Sequence, residues 1–185
     1  MAKQALLVMD VQNAVVARYP DPAYLPRLRE AISTARAAGV PVLYAVVGFR
    51  PGAPEVSTRN KMFGGLARNP AAAAAGGPQA MEIHPEVAPE PGDIIVTKRR
   101  VSAFAGSDLE LVLRAGGFEH LVLTGIATSG VVLSTLRQAA DLDYELTVPA
   151  DACLDADPEV HRVLTEQVFP QQATVTTVAA WQPDD

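Results

Sequence analysis

Apolar residues along the chain fall into short continuous runs, which is the pattern of strands buried on both faces of a parallel sheet. The first run reads ALLVM, and comparable runs recur at intervals that leave room for a helix between them. The runs predict six strands: Ala5–Met9, Val42–Val47, Asp93–Thr97, His120–Thr124, Tyr144–Val148 and Ala173–Val178.

Between these runs, apolar residues recur at steps of three and four positions, as they do on one face of an amphipathic helix. In the first such segment the shared face is formed by Leu25, Leu28, Ile32 and Ala35. Ser107 and Glu110 have the spacing of a capping box at the start of another. The predicted helices are Pro22–Ala38, Ser107 to about Ala115, Val131–Ala140 and Asp157 to about Val168, with a short one at Asn60–Leu66.

Strands that alternate with helices specify a parallel sheet with right-handed crossovers and helices on both faces. We therefore predict an α/β fold: a three-layer α/β/α Rossmann-like sandwich whose six-stranded, mostly parallel sheet has the strand order 3-2-1-4-5-6. The 185 residues suit a single domain over 1–185. Within it, residues 69–92 are predicted to be a loop or insertion, because an alanine run is followed there by a proline-rich stretch.

The composition argues against several classes of function. The net charge of −6 and the pI of about 5.0 disfavour a nucleic-acid or anionic-membrane partner. The first apolar run stops at Asp10, too early for a signal peptide, and no run reaches the roughly 18 residues of a membrane helix. The single cysteine, Cys153, excludes an internal disulfide and fits a reducing cytosol, so we predict a cytoplasmic protein. The three histidines are scattered, so neither a metal site nor a cofactor is predicted.

Three features fall at the predicted carboxyl ends of strands, where open α/β sheets bind ligands. Asp10 follows the first strand, Lys98 the third, and the turn Gly125–Val131 the fourth. A helix that begins near Ser129 would direct free backbone N–H groups into the same crevice, which suits an anion or oxyanion. Together the three features predict a shared site for a small-molecule substrate.

Other residues near these strand ends have two interpretations each. Gln12 and Asn13 could bind polar substrate atoms or complete a turn, and Phe104 could line the pocket or belong to the core. We take Gln12 and Phe104 as candidate substrate-binding residues. His161 is predicted to be structural. Three arginines could attract a carboxylate or remain solvated on loops: Arg50, Arg99 and Arg100.

Four segments resemble the isochorismatase-like cysteine hydrolases, a superfamily that includes nicotinamidases, N-carbamoylsarcosine amidases and isochorismatases. The segments are Leu6–Val15, Val96–Arg114, Leu121–Thr135 and Val148–His161. The most specific features are the K-x-x-x-S-A-F spacing that starts at Lys98 and the G-x-x-T spacing that starts at Gly125. The resemblance implies a small-molecule hydrolase that assembles as a homodimer or a larger homo-oligomer.

The family's catalytic triad is Asp, Lys and Cys, and the resemblance places the first two at Asp10 and Lys98. The cysteine position, three residues after Thr128, is occupied by Val131, which has no nucleophilic atom. The resemblance also implies a cis peptide at Ile126–Ala127, which would turn the backbone N–H groups of Ala127 and Val131 toward the substrate oxygen. Ala127 and Thr128 are therefore candidate substrate-binding residues.

No other residue is an evident replacement for the nucleophile. Cys153 lies in a D-A-C motif whose cysteine is not the family's nucleophile, and neither Ser129 nor Ser134 has a histidine base placed by the motif. Isochorismatases also lack the cysteine and cleave a vinyl ether with the Asp as general acid. They resemble one another in having Gly at the position of Val131, so the valine is a departure from them as well.

Three explanations of Val131 follow. The leading one is a family hydrolase that cleaves an amide, carbamoyl or vinyl-ether bond with acid–base chemistry by Asp10 and Lys98. The alternative is a catalytically inactive member that binds a small ligand or acts as an assembly partner. The third is an engineered replacement of cysteine by valine.

Overall fold

The computed structural model of the chain describes residues 2–69 and 77–183. Within them the strands form one sheet, and every pairing in it is parallel, so the carboxyl ends of the strands meet at one edge. The strands are β1 (Gln4–Met9), β2 (Val42–Val47), β3 (Ile94–Lys98), β4 (His120–Ile126), β5 (Glu145–Pro149), β6 (Cys153–Leu154) and β7 (Thr174–Thr176).

The order of the main strands is β3-β2-β1-β4-β5-β7, which confirms the order predicted for the six strands. Strand β6 is an addition that the apolar pattern did not predict, because it has only two residues. It pairs with Gly125 and Ile126 of β4, beyond the part of β4 that pairs with β5. The short strand therefore supports the end of β4, immediately before the predicted site turn.

The longer helices lie where the three- and four-residue periodicity predicts them, with ends shifted by a few residues. The helices are α1 (Asn13–Val16), α2 (Tyr24–Ala37), α3 (Gly64–Arg68), α4 (Gly77–Ala80), α5 (Leu109–Gly116), α6 (Leu133–Asp141) and α7 (Pro158–Val163). A π-helical turn, Thr128–Val132, leads into α6, and another, Leu164–Val168, follows α7.

Three local predictions have different outcomes. The short helix predicted at Asn60–Leu66 begins only at Gly64. In place of the predicted capping box between Ser107 and Glu110, Ser107 Oγ accepts the N–H of Leu109, one residue nearer in sequence, at 3.2 Å. Part of the predicted insertion at 69–92, residues 70–76, lies outside the described residues.

Two apolar layers enclose the sheet, because successive residues of a strand point to opposite faces. One layer joins the sheet to α5 and α6 and includes Leu7, Leu43 and Leu123. The other joins it to α2 and includes Leu6, Val42 and Val122. The predicted three-layer sandwich is thereby confirmed. No helix among the described residues is both long and apolar enough to cross a membrane.

Gly125 shows why the G-x-x-T pattern needs its glycine. Its φ is +138°, and a Cβ atom built on it would lie 2.2 Å from the Met9 carbonyl oxygen on neighbouring β1.

We expect Gly125→Ala to lower the free energy of unfolding by about 2–4 kcal/mol, from overpacking and backbone strain together, as measured by urea denaturation. Gly117→Ala is the control, since φ is +66° there and nothing lies within 4 Å of the built Cβ. Equal losses in the two variants would contradict the close approach.

Candidate active site

Asp10 and Lys98 form a buried ion pair at the carboxyl edge of the sheet. Asp10 directly follows β1 and Lys98 ends β3, with β2 between these strands. The Lys98 side chain spans β2, and its Nζ lies 2.9 Å from Asp10 Oδ2. The two residues are only 8% and 1% exposed, respectively. The structure thus brings together the two charged residues that the sequence placed on separate strand ends.

The pKa of the Asp10 carboxyl group is raised toward neutral pH. Burial raises its pKa from 3.8 to about 6, against the opposing charge of Lys98. Its Oδ1 atom has no hydrogen-bond partner among the described residues. Lys98 Nζ also donates to the Arg100 carbonyl oxygen at 2.9 Å, so the ammonium is fixed from two sides. One carboxylate oxygen is therefore held and the other is free to act.

The turn after β4 lies beside this pair. Met9 is paired with Gly125 across β1 and β4, so Asp10 and the turn leave adjacent strands at the same level. The Ile126–Ala127 peptide is cis, as the resemblance implies. No hydrogen bond of the Ala127 N–H is found within residues 2–69 and 77–183. This N–H group is therefore available as a donor, which an oxyanion site requires.

Val131 occupies the predicted nucleophile position as a packed side chain. It is 2% exposed and belongs to the same apolar cluster as Ala103 and Phe104. The isopropyl group presents only carbon and hydrogen to its surroundings. Direct nucleophilic attack from this position is therefore chemically impossible, and any catalysis has to use another group.

Phe104 is buried in the apolar cluster that also contains Val131 of the site turn. Its ring centroid is 6.3 Å from that of Tyr144, which precedes β5 at the amino edge of the sheet. The Phe104 ring therefore packs within one apolar layer of the sandwich.

The side-chain amide of Gln12, a predicted substrate-binding residue, forms hydrogen bonds with the protein backbone. Its Oε1 accepts the Val47 N–H at 2.9 Å, and its Nε2 donates to the Val47 and Met81 carbonyl oxygens at 3.1 and 2.7 Å. Asn13 similarly donates to the Gln79 carbonyl oxygen. The two amides connect the segment after β1 with the end of β2 and the region around α4, which is a positioning role.

The loop after Lys98 is attached to the helix that begins after Val131. Ser102 Oγ donates to Gln138 Oε1 at 2.7 Å, and the Ala103 N–H donates to Thr135 Oγ1 at 2.9 Å. Both acceptors lie on α6. These contacts give the S-A part of the motif a physical reason, because they fix the Lys98 loop relative to the site turn.

The candidate carboxylate-binding arginines hold loops together. Arg99 Nη1 donates to the Gly48 carbonyl oxygen, and Arg100 donates to the carbonyl oxygens of Arg99 and Glu55. Arg50 and Arg99 each lie 3.6 Å from Glu55 Oε1. A hydrogen bond from the Arg50 N–H contributes most to lowering the pKa of Glu55, and both guanidinium groups add to it. Of the three arginine side chains, that of Arg50 is the most exposed, at 63%.

Two residues that the sequence did not single out for the site contact the turn directly. His161 Nδ1 lies 2.8 Å from Thr128 Oγ1, and Asp155 Oδ2 accepts the Ser129 N–H at 2.7 Å. Tyr19 links this region to Asp10: burial raises the pKa of its phenol, and the carboxylates of Asp155 and Asp10 add to the increase. The Tyr19 phenol therefore lies within electrostatic range of both carboxylates.

Cys153 has the properties of a buried apolar residue. Burial raises the pKa of its thiol to about 12, and Sγ lies 3.7 Å from the Leu123 carbonyl oxygen. A thiol of this kind is neutral at physiological pH and is a poor nucleophile. Within the described part of the chain, no cluster of His, Cys, Asp and Glu has the arrangement of a metal site.

Comparison with known proteins agrees with this geometry. A family model described as the isochorismatase domain matches residues 4–180. Ureidoacrylate amidohydrolase RutB of Stutzerimonas stutzeri is 36% identical over 199 residues, which cover 96% of this chain and 76% of that protein. An isochorismatase family protein from Burkholderia thailandensis has a TM-score of 0.81 and 29% identity, covering 96% of this chain and 92% of that one.

N-carbamoylsarcosine amidase from Thermoplasma acidophilum has a similar structure as well. Its TM-score is 0.75 at 26% identity, with 98% of this chain and 99% of that chain covered. The family match spans almost the entire sequence, and the fold agrees with the solved structures over the same length. The chain therefore belongs to the isochorismatase family of hydrolases.

Proposed function

We propose that the protein hydrolyses a carbamoyl or amide bond of a small molecule without a cysteine nucleophile, using Asp10 as the acid–base group. The observation that carries this proposal is the buried Asp10 carboxyl group, with one oxygen paired to Lys98 and the other unpartnered. Its pKa of about 6 lets the group both accept and return a proton at neutral pH.

In the proposed reaction a water molecule replaces the missing thiol. The Asp10 carboxylate takes a proton from this water while the oxygen forms a bond to the substrate carbonyl carbon. The resulting oxyanion accepts hydrogen bonds from the backbone N–H groups of Ala127 and Val131. The carbonyl then reforms, the C–N bond breaks, and the Asp10 carboxylic acid returns the proton to the leaving nitrogen. Asp10 ends the cycle ionised, as it began.

Lys98 keeps the Asp10 carboxylate in place and limits the increase of its pKa. Burial alone would favour the neutral acid more strongly, and the ammonium charge at 2.9 Å counteracts that effect. Among the other candidates, Ala127 contributes its N–H group and Thr128 holds the turn through His161. We assign Gln12 a positioning role and Phe104 a core role.

The relatives favour a carbamoyl compound as substrate. One is named a ureidoacrylate amidohydrolase and another an N-carbamoylsarcosine amidase, and both names denote cleavage next to a carbamoyl or ureido group. We propose a substrate of this class that needs neither a cofactor nor a metal. We also propose a single domain over 1–185, a cytoplasmic location and a homo-oligomer, which sedimentation velocity would measure.

The pH dependence of turnover tests the proposal and its direction of proton transfer. For a carbamoyl or amide substrate, kcat/KM should rise through about pH 6 as Asp10 ionises, and then level off. For cleavage of a vinyl ether, where the neutral acid must protonate carbon, kcat/KM should fall through the same range. The measurement uses N-carbamoyl acids, simple amides and isochorismate, with circular dichroism as the control for folding. If kcat/KM does not change near pH 6 with any of these substrates, the result would contradict the role of Asp10.

A non-catalytic ligand-binding protein is the second candidate. The observation that favours it is the packed side chain of Val131, which is 2% exposed at the position of the nucleophile. In that case calorimetric titration should detect binding of a carbamoyl compound, while the same compound is recovered unchanged after long incubation. Release of ammonia from that compound would exclude this alternative.

A further inference from the structure

One short segment of the chain holds two consecutive residues of the site turn. Asp155 Oδ2 accepts the Ser129 N–H at 2.7 Å, and His161 Nδ1 shares a hydrogen bond of 2.8 Å with Thr128 Oγ1. Thr128 is fully buried. The segment runs from just after β6 into α7, so it reaches the turn from outside the β4–α6 connection. The backbone and a side chain of the turn are thus held from the same direction.

This segment has its own internal supports. Asp157 caps α7 by accepting the Glu159 N–H at 2.8 Å, and Asp155 Oδ1 accepts the Ala156 N–H at 2.9 Å. Thr165 Oγ1 donates to the His161 carbonyl oxygen at 2.9 Å. His161 is therefore presented by a helix whose start and following turn are both fixed.

The partly buried position of His161 favours the neutral imidazole. Burial contributes most to lowering the pKa of His161, the carboxylate of Asp155 raises it, and the guanidinium of Arg27 lowers it. A neutral imidazole can accept the Thr128 hydroxyl proton or donate to its oxygen, depending on the tautomer. Either arrangement restrains the side chain that follows the cis peptide.

We propose that His161 and Asp155 are positioning residues that set the direction of the backbone N–H groups at the turn Ala127–Val131. The inference rests on the proposed function, in which those N–H groups stabilise the oxyanion. It adds that the precision of the anion site comes from a separate segment, residues 155–161. A misplacement of about 1 Å at such a site can reduce a rate roughly 100-fold.

The test measures the anion-stabilising power of the turn without any substrate. Val131→Cys places a thiol on the turn, and the ultraviolet absorbance of its thiolate reports the pKa of that thiol. The wild type supplies the baseline, because the pKa of Cys153 is about 12. Position 131 is buried, which raises the pKa of a thiol, and the N–H groups of a correctly set turn should outweigh this effect. The introduced thiol should then have a pKa below its usual value of about 8.5.

Variants of the segment are then combined with Val131→Cys. His161→Leu and Thr128→Val each remove one partner of the hydrogen bond, and each should raise the pKa of the introduced thiol by about 1. The double variant should show no further increase, since both changes remove the same bond. His161→Asn, whose amide reaches the position of Nδ1, should restore most of the decrease in pKa. Arg162→Ala on the same helix is the control, because Arg162 pairs with Glu159 and Glu166.

The outcomes separate this inference from the function on which it rests. A lowered thiol pKa that is insensitive to His161→Leu and Thr128→Val overturns the positioning role alone. A thiol pKa at or above its usual value in every variant overturns the anion site, and the positioning role with it. If His161→Leu lowers the melting temperature strongly, Thr128→Val decides, since it keeps the shape of the buried side chain.

Discussion

Asp10→Asn is expected to lower kcat/KM for the carbamoyl substrate by about 10²–10⁴-fold, the usual contribution of a general acid–base group. The amide of asparagine cannot accept and return a proton, although it fits the same space. The carboxyl oxygen that faces no partner, Oδ1, is the atom whose chemistry is lost. The measurement is steady-state turnover at a pH above 6, where the wild-type carboxyl group is ionised.

Asp143→Asn is a closely matched control for this variant. Asp10 and Asp143 both have a positive φ, 57° and 64°, and asparagine tolerates this conformation as well as aspartate does. Asp143 precedes β5 at the amino edge of the sheet, opposite the site. It should keep full activity. Equal turnover by Asp10→Asn and the wild type, in folded protein, would exclude Asp10 as the acid–base group.

Asp10→Asn should also change the pH dependence of stability, which is a second, independent test. Because the pKa of Asp10 is raised from 3.8 in the unfolded chain to about 6 in the folded protein, the native state binds this proton more tightly. The resulting stabilisation is complete below about pH 4 and is lost as the pH rises through 6. In Asp10→Asn this part of the pH dependence should disappear. Urea denaturation at several pH values would measure it.

The strands and the edge of the sheet at which the site lies could be predicted from the sequence. Continuous apolar runs such as Ala5–Met9 have few alternatives to a strand buried on both faces. Parallel strands then place Asp10, Lys98 and the turn at one edge, whatever the details of the loops. The Asp10–Lys98 distance of 2.9 Å was not predictable, because it depends on the lysine side chain crossing β2.

The supporting contacts were harder to predict because their partners are far apart along the chain. Gln12 and Met81 are separated by 69 residues, and Thr128 and His161 by 33. An amide or imidazole near a site has the same sequence signal whether it meets a substrate or the protein backbone. Local pattern thus identifies the charged residues at the strand ends better than the distant side chains that contact them.

Val131→Cys should convert the site to covalent chemistry and raise the rate of amide or carbamoyl hydrolysis about 100-fold or more. This is a small part of the roughly 10⁶-fold that a catalytic nucleophile can contribute to kcat. The thiol would lie near the end of the turn Thr128–Val132, two residues before α6 and on the turn that follows the cis peptide. A helix N-terminus and a nearby ammonium group both favour the thiolate.

Val131→Ser is the control for this gain, because serine has nearly the size of cysteine without its nucleophilicity at neutral pH. Val131→Cys should cost about 1 kcal/mol of stability, as for the loss of a buried methyl group. Val131→Ser should cost about 1–3 kcal/mol more, because it buries a hydroxyl group among apolar side chains. Iodoacetamide alkylates thiolates, so it should abolish the new activity and leave the wild-type activity unchanged, since burial raises the pKa of the Cys153 thiol to about 12. If the introduced thiol ionises readily and still gives no turnover, the divergence of this protein extends beyond Val131 to the groups that bind the substrate. If turnover appears and depends on Asp10, the protein retains the other parts of the family's catalytic site and lacks only the nucleophile at position 131.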